Sequence, residues 1–235
     1  VSNTFSFAGI NSGTLHLLCS HGGTYNAPER DVTALAVPGR SGDLVVDNGR
    51  WRNVMVAYPC YVQRGFSGSV PQIRAWLAGD GNYHRLEDDA HPGEYRMARL
   101  AGELGFAPRY LGHQAEVTVI FDCKPQRWLT AGEAWTALDP SGSITLANPT
   151  GFDARPIIEV VAPNGGTLTV GTTNIDLPEG YSGTMVIDCQ RLAAYCGASP
   201  LNHLITDFPA LGAGDTIITA AGITSGRIQP RWWRL

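Results

Sequence analysis

Apolar residues along this chain recur mostly at every second position, in short stretches bounded by Gly, Pro, Asn and Asp, which is the period of a half-buried β-strand. "FSF" at 5–7 puts Phe5 and Phe7 on one face. "LHLLC" at 15–19 is a second apolar run, and "DVTALAVPGRSGDLVV" reads as two strands around a Gly-rich turn at Pro38 to Gly42. "VMVAYPCYVQ" at 54–63 is a long strand expected to break or bulge at Pro59, since proline brings no N–H to a ladder. "AEVTVIFDC" is the cleanest strand: Val117, Val119, Phe121 and Cys123 share one face, while Glu116, Thr118 and Asp122 share the other, with Ile120 the exception. "YHRLED" and "EYRMARL" read as two strands joined by "DDAHPG".

One segment departs from the period of two. Near residues 70–79 the apolar spacing becomes helical, with Ile73, Trp76 and Leu77 at i, i+3 and i+4. Ser69 is the expected N-cap, with Gln72 three residues on as in a capping box, and Gly79 the expected stop. A helix of about ten residues does not stand alone in water, so Ile73, Trp76 and Leu77 are expected to anchor it on a sheet.

The character changes at "KPQRW", 124–128. Beyond Ala131 the chain shows no good helix, only short strands at turn-marked spacing: "SITLAN", "RPIIEVVA", "TLTVG", "TNIDL", "TMVIDC", "DTIITA" and "GRIQPRWWRL". The expectation is a mainly β protein in two domains: residues 1–129, a β-domain carrying one short α-helix, and residues 130–235, a β-sandwich.

Composition narrows the function classes. Of 235 residues 43% are apolar and 16% charged, enough for real cores, and 28 Gly with 15 Pro fit many turns. A net charge of −4 lacks the basic footprint of a nucleic-acid binder. No apolar run is long enough for a transmembrane helix, and the N-terminus lacks the basic region of a secretory signal. The cysteines at 19, 60, 123, 189 and 196 are odd in number and form no CxxC, so free, buried thiols are expected; only Cys189 and Cys196 are close enough in sequence to suggest a bridge.

Candidate chemistry is sparse. His84, His91, Asn82 and the acids Asp80, Glu87, Asp88 and Asp89 could supply metal ligands, but "DGNYHR" fails the EF-hand pattern at its third ligand position and the histidines do not share a helical face. A solvated hairpin tip is the plainer expectation. No nucleophile elbow, P-loop or dinucleotide fingerprint occurs, so no catalytic residue, cofactor or metal is assigned. The closing "GRIQPRWWRL" interleaves Arg231 and Arg234 with Trp232 and Trp233. That pattern suits single-stranded nucleic acid or a membrane surface, or else a last strand whose alternate residues pack into the core while its arginines face a neighbour; the net negative charge and the position at the last strand favour the second.

Taken in order, "VPGRSGDL", "RAWLAGDGNYHRLEDD", "EYRMARL", "VTVIFDCKPQRW", "ITLANPTGFDARPIIEV", "GTMVIDCQRLAAY", "FPALGAGDTIITAAG" and "IQPRWWRL" resemble the distal tail protein family of siphophages, often called Dit. The likeness spans nearly the whole chain. It implies an N-terminal domain that closes, six copies at a time, into a ring around a channel, and a galectin-like β-sandwich as the C-terminal domain. It implies a structural virion protein at the tail tip, made in the bacterial host cytoplasm. The implied partners are the major tail tube protein, the C-terminus of the tape-measure protein and the tail-associated lysin or tip protein, with no catalysis and no cofactor. Arg40, Asp43, Asp47 and Arg50 in and after "VPGRSGDL" are candidates for the ring contact, and Arg231, Trp232 and Arg234 for a C-terminal interface. Roughly 105 residues after Thr130 leave room for one sandwich and no added carbohydrate module. A different reading keeps the sandwich as a carbohydrate-binding adhesin, with Trp128 and Trp135 as the residues able to stack on a sugar.

Overall fold

The structure, a computed structural model, describes residues 3–24, 26–63, 65–109 and 114–235. It divides into two compact units, Val1–Arg127 and Trp128–Arg234.

The first unit is built on strands β1 (Phe5–Phe7), β2 (Ile10–Asn11), β3 (Leu17–Cys19), β4 (Arg30–Leu35), β5 (Leu44–Trp51), β6 (Val54–Val62), β7 (His84–Asp88), β8 (Glu94–Leu100), β9 (Ala107–Arg109) and β10 (Gln114–Cys123), with helix α1 (Phe66–Leu77) between β6 and β7. The main sheet runs β2-β1-β7-β8-β10-β6-β3, and β9 pairs with the start of β10. Its spine is the β6–β10 pair, whose register sets Val117 opposite Cys60, Val119 opposite Tyr58, Phe121 opposite Val56 and Cys123 opposite Val54. All eight of these residues are buried. Two strands whose apolar sets share one face gain a dry surface only in this register, and a slip of one residue would turn every one of them outward. On the other face of β10, Asp122 accepts hydrogen bonds from Asn53 Nδ2 (2.8 Å), Arg99 Nε (2.9 Å) and Tyr83 OH (3.1 Å), which explains an acid on a strand otherwise so apolar.

Pro59 does not break β6. The strand runs unbroken through it, with Thr118 directly opposite. The Pro59 carbonyl accepts from Ser20 N at 2.8 Å, on the β3 side. N–H and C=O of one strand residue point the same way, so the missing donor faces the place where β3 leaves the sheet, and the β10 ladder loses nothing.

Helix α1 starts earlier than its apolar spacing indicates. It spans Phe66–Leu77, with Gly65 as N-cap at φ 65°, and Ser69 and Pro71 lie inside it. Only glycine enters a helix readily from that left-handed conformation, and "GFSGS" therefore looks like loop in sequence while forming the first turn. Val70, Ile73 and Leu77 are buried in the core of the sheet. Trp76 covers that core from the edge, its ring stacked on Phe5 (5.7 Å, 16°) and its Nε1 donating to Phe7 O at 2.9 Å. Phe5, Phe7, Tyr58 and Phe121 complete an aromatic cluster with centroids 4.9–5.9 Å apart.

The second unit is two sheets over one core. Its strands are β11 (Arg127–Leu129), β12 (Thr136–Ala137), β13 (Ser143–Asn148), β14 (Ile157–Val161), β15 (Asn164–Val170), β16 (Thr173–Glu179), β17 (Met185–Asp188), β18 (Ala193–Cys196), β19 (Ser199–Pro200), β20 (Gly214–Ala221), β21 (Ser225–Gln229) and β22 (Trp233–Arg234). One sheet runs β12-β21-β14-β17-β18-β19 and the other β13-β20-β15-β16, while β11 pairs with β22. Ile158, Val160, Met185, Ile187 and Ile228 of the first meet Leu168, Val170, Ile175, Leu177 and Ile218 of the second in one buried cluster. That is a β-sandwich, as the run of short alternating strands requires.

The last stretch is not one strand. β21 ends at Gln229, Arg231 takes φ 61°, and β22 follows. Cys189 and Cys196 cannot bridge. Cys196 stands opposite Met185, four residues from Cys189 along β17 and its end, roughly 13 Å at strand rise. All five cysteines are free.

Candidate interaction surface

Two strands of the first unit belong to no larger sheet. Among the described residues β4 and β5 pair only with each other, forming a hairpin around the Pro38–Gly42 turn. Its register sets Thr33 opposite Val46 and Leu35 opposite Leu44 on one face, and Val32 opposite Asp47 and Ala34 opposite Val45 on the other. Both faces therefore carry aliphatic side chains. Val32, Leu35, Val37, Leu44, Val45 and Val46 expose between 38% and 60% of their surface. An isolated two-stranded hairpin is marginal in water, and an uncovered apolar one is a template for pairing.

Charge is concentrated at the base of this hairpin, and the pairs lie within the chain. Asp31 accepts from Arg50 Nε at 2.6 Å and Arg52 Nη2 at 3.1 Å, so Arg50 first and Arg52 second hold its carboxyl below the usual range. Asp47 accepts from Gly49 N and Arg30 Nε, both at 2.8 Å, which lower its pKa in that order. The Arg30 guanidinium also lies 4.7 Å over the Trp51 ring. Of the four residues proposed for a ring contact, Asp47 and Arg50 thus brace the hairpin itself. Arg40 and Asp43 stand exposed at its turn, where Arg40 N donates to Val37 O. The aliphatics beside them are not among the residues that the sequence singles out by number. Their signal is "TALAV" and "LVV", apolar at successive positions where a strand with one wet face would alternate.

The His84 and His91 region holds a different kind of site. The "DDAHPG" turn is solvated at Asp89, Ala90, Pro92 and Gly93, as expected, and Asp88 makes it a joint as well. Asp88 is nearly buried and accepts from Tyr58 OH (2.7 Å), Ala90 N (3.0 Å), His91 N (2.9 Å) and His91 Nδ1 (2.7 Å). Asp89 accepts from Thr4 N and Oγ1, tying the turn to the N-terminal strand. Behind it lies a cavity of about 20 Å³, lined by Tyr58, Asp88, His91, Glu94, Arg96 and Arg127 among others, room for a single water. Burial first, then the nearby Arg127 charge, lowers the Arg96 pKa. Burial first, then the Asp88 charge, pushes the Tyr58 hydroxyl far up, in keeping with its role as donor to Asp88. His84 turns the other way, to Asp80 (2.8 Å). No group of three metal-binding side chains converges among the described residues.

The C-terminal residues are largely committed inside the second unit. Trp232 is buried in the sandwich core, and its backbone is fixed by Leu129 N donating to Trp232 O at 2.9 Å. A Cβ on Gly132 would lie 2.3 Å from Trp232 N, so only glycine permits this approach. Arg231 Nη1 donates to Asp188 Oδ1 at 2.9 Å. Arg234 alone of the proposed three is exposed. Trp232, a candidate for the C-terminal interface, is taken up by the core instead, and the turn at Arg231 separates it from β21. Trp135, a candidate sugar platform, has the Arg227 guanidinium 4.3 Å over its ring.

No protein-family model matches the chain and no curated protein matches it in sequence. Solved structures do match in fold. The SPP1 Dit (gp 19.1) protein, described as a paradigm of the hub adsorption apparatus in phages infecting Gram-positive bacteria, aligns with a TM-score of 0.75 at 14% identity, over 99% of both chains. Chains of the phage P2 baseplate in its activated conformation align with TM-scores of 0.52. With Ca the identity is 8%, over 97% of this chain and 96% of that one; with Sr it is 9%, over 100% and 98%. The sheet with its helix, the sandwich, and their order in sequence are therefore shared along the full length: in fold, this chain is similar to a Dit tail-hub protein.

Proposed function

We propose that this chain is a structural component of a phage tail tip, a hub whose first unit closes into a ring of six copies. The ring would join the tail tube and the end of the tape measure to the tip or lysin protein. The observation that carries the reading is the end-to-end likeness to a hub protein, 99% of each chain. The uncovered hairpin supports the ring. Among the described residues its aliphatics stay 38% to 60% exposed, and a second copy is the partner always at hand during assembly. A head-to-tail contact repeated by rotation closes when its geometry is fixed, and the braced charges at the hairpin base fix that geometry. Arg40 and Asp43 at the turn are the polar residues of the contact. In this reading the molecule works through surfaces: the Asp88 cluster is structural and no step of chemistry is assigned to it.

The test is assembly by hairpin variants. Val45→Asp and Arg40→Glu should each lower the mass of the assembled particle and leave the far-UV spectrum unchanged, with Val45→Asp the stronger. Normal rings from both variants would remove the hairpin from the contact.

A further inference from the structure

Two of the five cysteines face each other. Cys19 on β3 stands directly opposite Cys60 on β6. Cys19 N donates to Asn3 O at 2.8 Å, and Asn3 bridges β3 on the side away from β6. The Cys19–Cys60 pair is therefore of the non-hydrogen-bonded kind, in which Cα atoms stand about 4.5 Å apart and side chains approach most closely. That separation falls inside the window a disulfide requires. The two Sγ atoms are 3.0 Å apart, closer than unbonded sulfurs normally pack, and closure to a bond of about 2.0 Å needs roughly 1 Å of movement. The other three have no such partner. Cys123 faces Val54 and Ala98, Cys196 faces Met185, and Cys189 lies beyond the end of β17.

We propose that Cys19 and Cys60 are a modification site, oxidised to a cross-strand cystine by a small-molecule disulfide such as oxidised glutathione. The Cys19 thiolate attacks one sulfur of the reagent and displaces one glutathione thiolate, leaving a mixed disulfide on Cys19. The Cys60 thiolate then attacks Cys19 Sγ and displaces the second. Two protein thiols lose two electrons and two protons, and two molecules of reduced glutathione carry them away. Entry comes from the β3 side. β3 is three residues long and is held on its outer side at Cys19 by the single Asn3 bridge, so release of that bridge opens β3 and presents Cys19 while β6 stays in place between β3 and β10. Both thiols are buried in the closed state, and the hydrogen bond to Cys19 together with burial raises the Cys60 pKa. Oxidation is accordingly slow and gated by that opening. Taken with the tail-tip reading, a chain assembled in a reducing cell would gain this staple after release into an oxidising medium. The site itself does not depend on that reading.

The test uses the purified protein, reduced and then incubated natively with oxidised glutathione, denatured in acid, alkylated and digested without reductant. The expected result is a linked pair of peptides containing Cys19 and Cys60, with Cys123, Cys189 and Cys196 all alkylated. Thermal unfolding of the oxidised protein should move up by at least about 5 °C and return on reduction. Cys60→Ser and Cys19→Ser should show neither the link nor the shift. The peptide map of the unmutated chain decides the matter even if those variants fold poorly. Five alkylated thiols after the native incubation would overturn the proposal. So would a link through any other cysteine, or a glutathione adduct on Cys19 that never passes to Cys60.

Discussion

Asp188 holds the end of the chain. Burial works to raise its pKa, but the hydrogen bond from Arg231 and those from the amides of Arg191 and Gln190 together hold it below the usual carboxylate value of 3.8. A folded-state value below the unfolded one means that the unfolded chain binds more protons in that interval. The contribution is therefore fully present above about pH 4 and is lost as pH falls through the folded value. Asp188→Asn should cost about 2 kcal/mol at pH 7 in urea unfolding, less than a fully buried pair because Arg231 keeps 22% of its side chain in solvent. The gap to the unmutated chain should narrow in acid; a gap independent of pH would show that the carboxylate charge is not what matters. In the first unit, Trp76→Phe keeps most of the packing on Phe5 and deletes the donor to Phe7 O. It should cost about 1 kcal/mol by the same measurement.

Among the elements, the hairpin β4–β5 decides the most. Its two strands and their turn are legible in "DVTALAVPGRSGDLVV", yet sequence cannot say that they pair with nothing else, because strand propensity is the same in a sheet and on an arm. Amide exchange at Val45 and Val46 should be fast in the free chain and slow by at least tenfold once copies assemble; equal protection in both states would mean that the arm is not covered. The strands of the sandwich were readable for a simple reason: a core on one side and water on the other impose a period of two on Ile157–Val161 and Gly214–Ala221. Pro59 and the start of α1 depart from the sequence expectation where a local rule meets a tertiary exception, while the helix itself and its anchors stand as expected. A strand proline is silent where no neighbour needs its donor, and Gly65 and Gly68 look like loop yet open a helix that Ile73 and Leu77 anchor. The opposition of Cys19 and Cys60 was invisible, since 41 residues separate them and only the sheet order joins them.

For the whole molecule, the resemblance of ordered short motifs and the fold point the same way, although no single motif is specific and identity to the SPP1 hub is only 14%. Fold alone does not assign function, so the ring is tested by what the exposed hairpin does when copies meet. The most direct measurement is the solution mass of the purified chain by light scattering, with negative-stain images of the same peak. The account predicts ring-shaped particles near six times 25.2 kDa, about 150 kDa, formed by the chain alone or on co-expression with the tail tube and tip proteins. A stable dimer, or a chain that stays at 25.2 kDa in both settings, would contradict it.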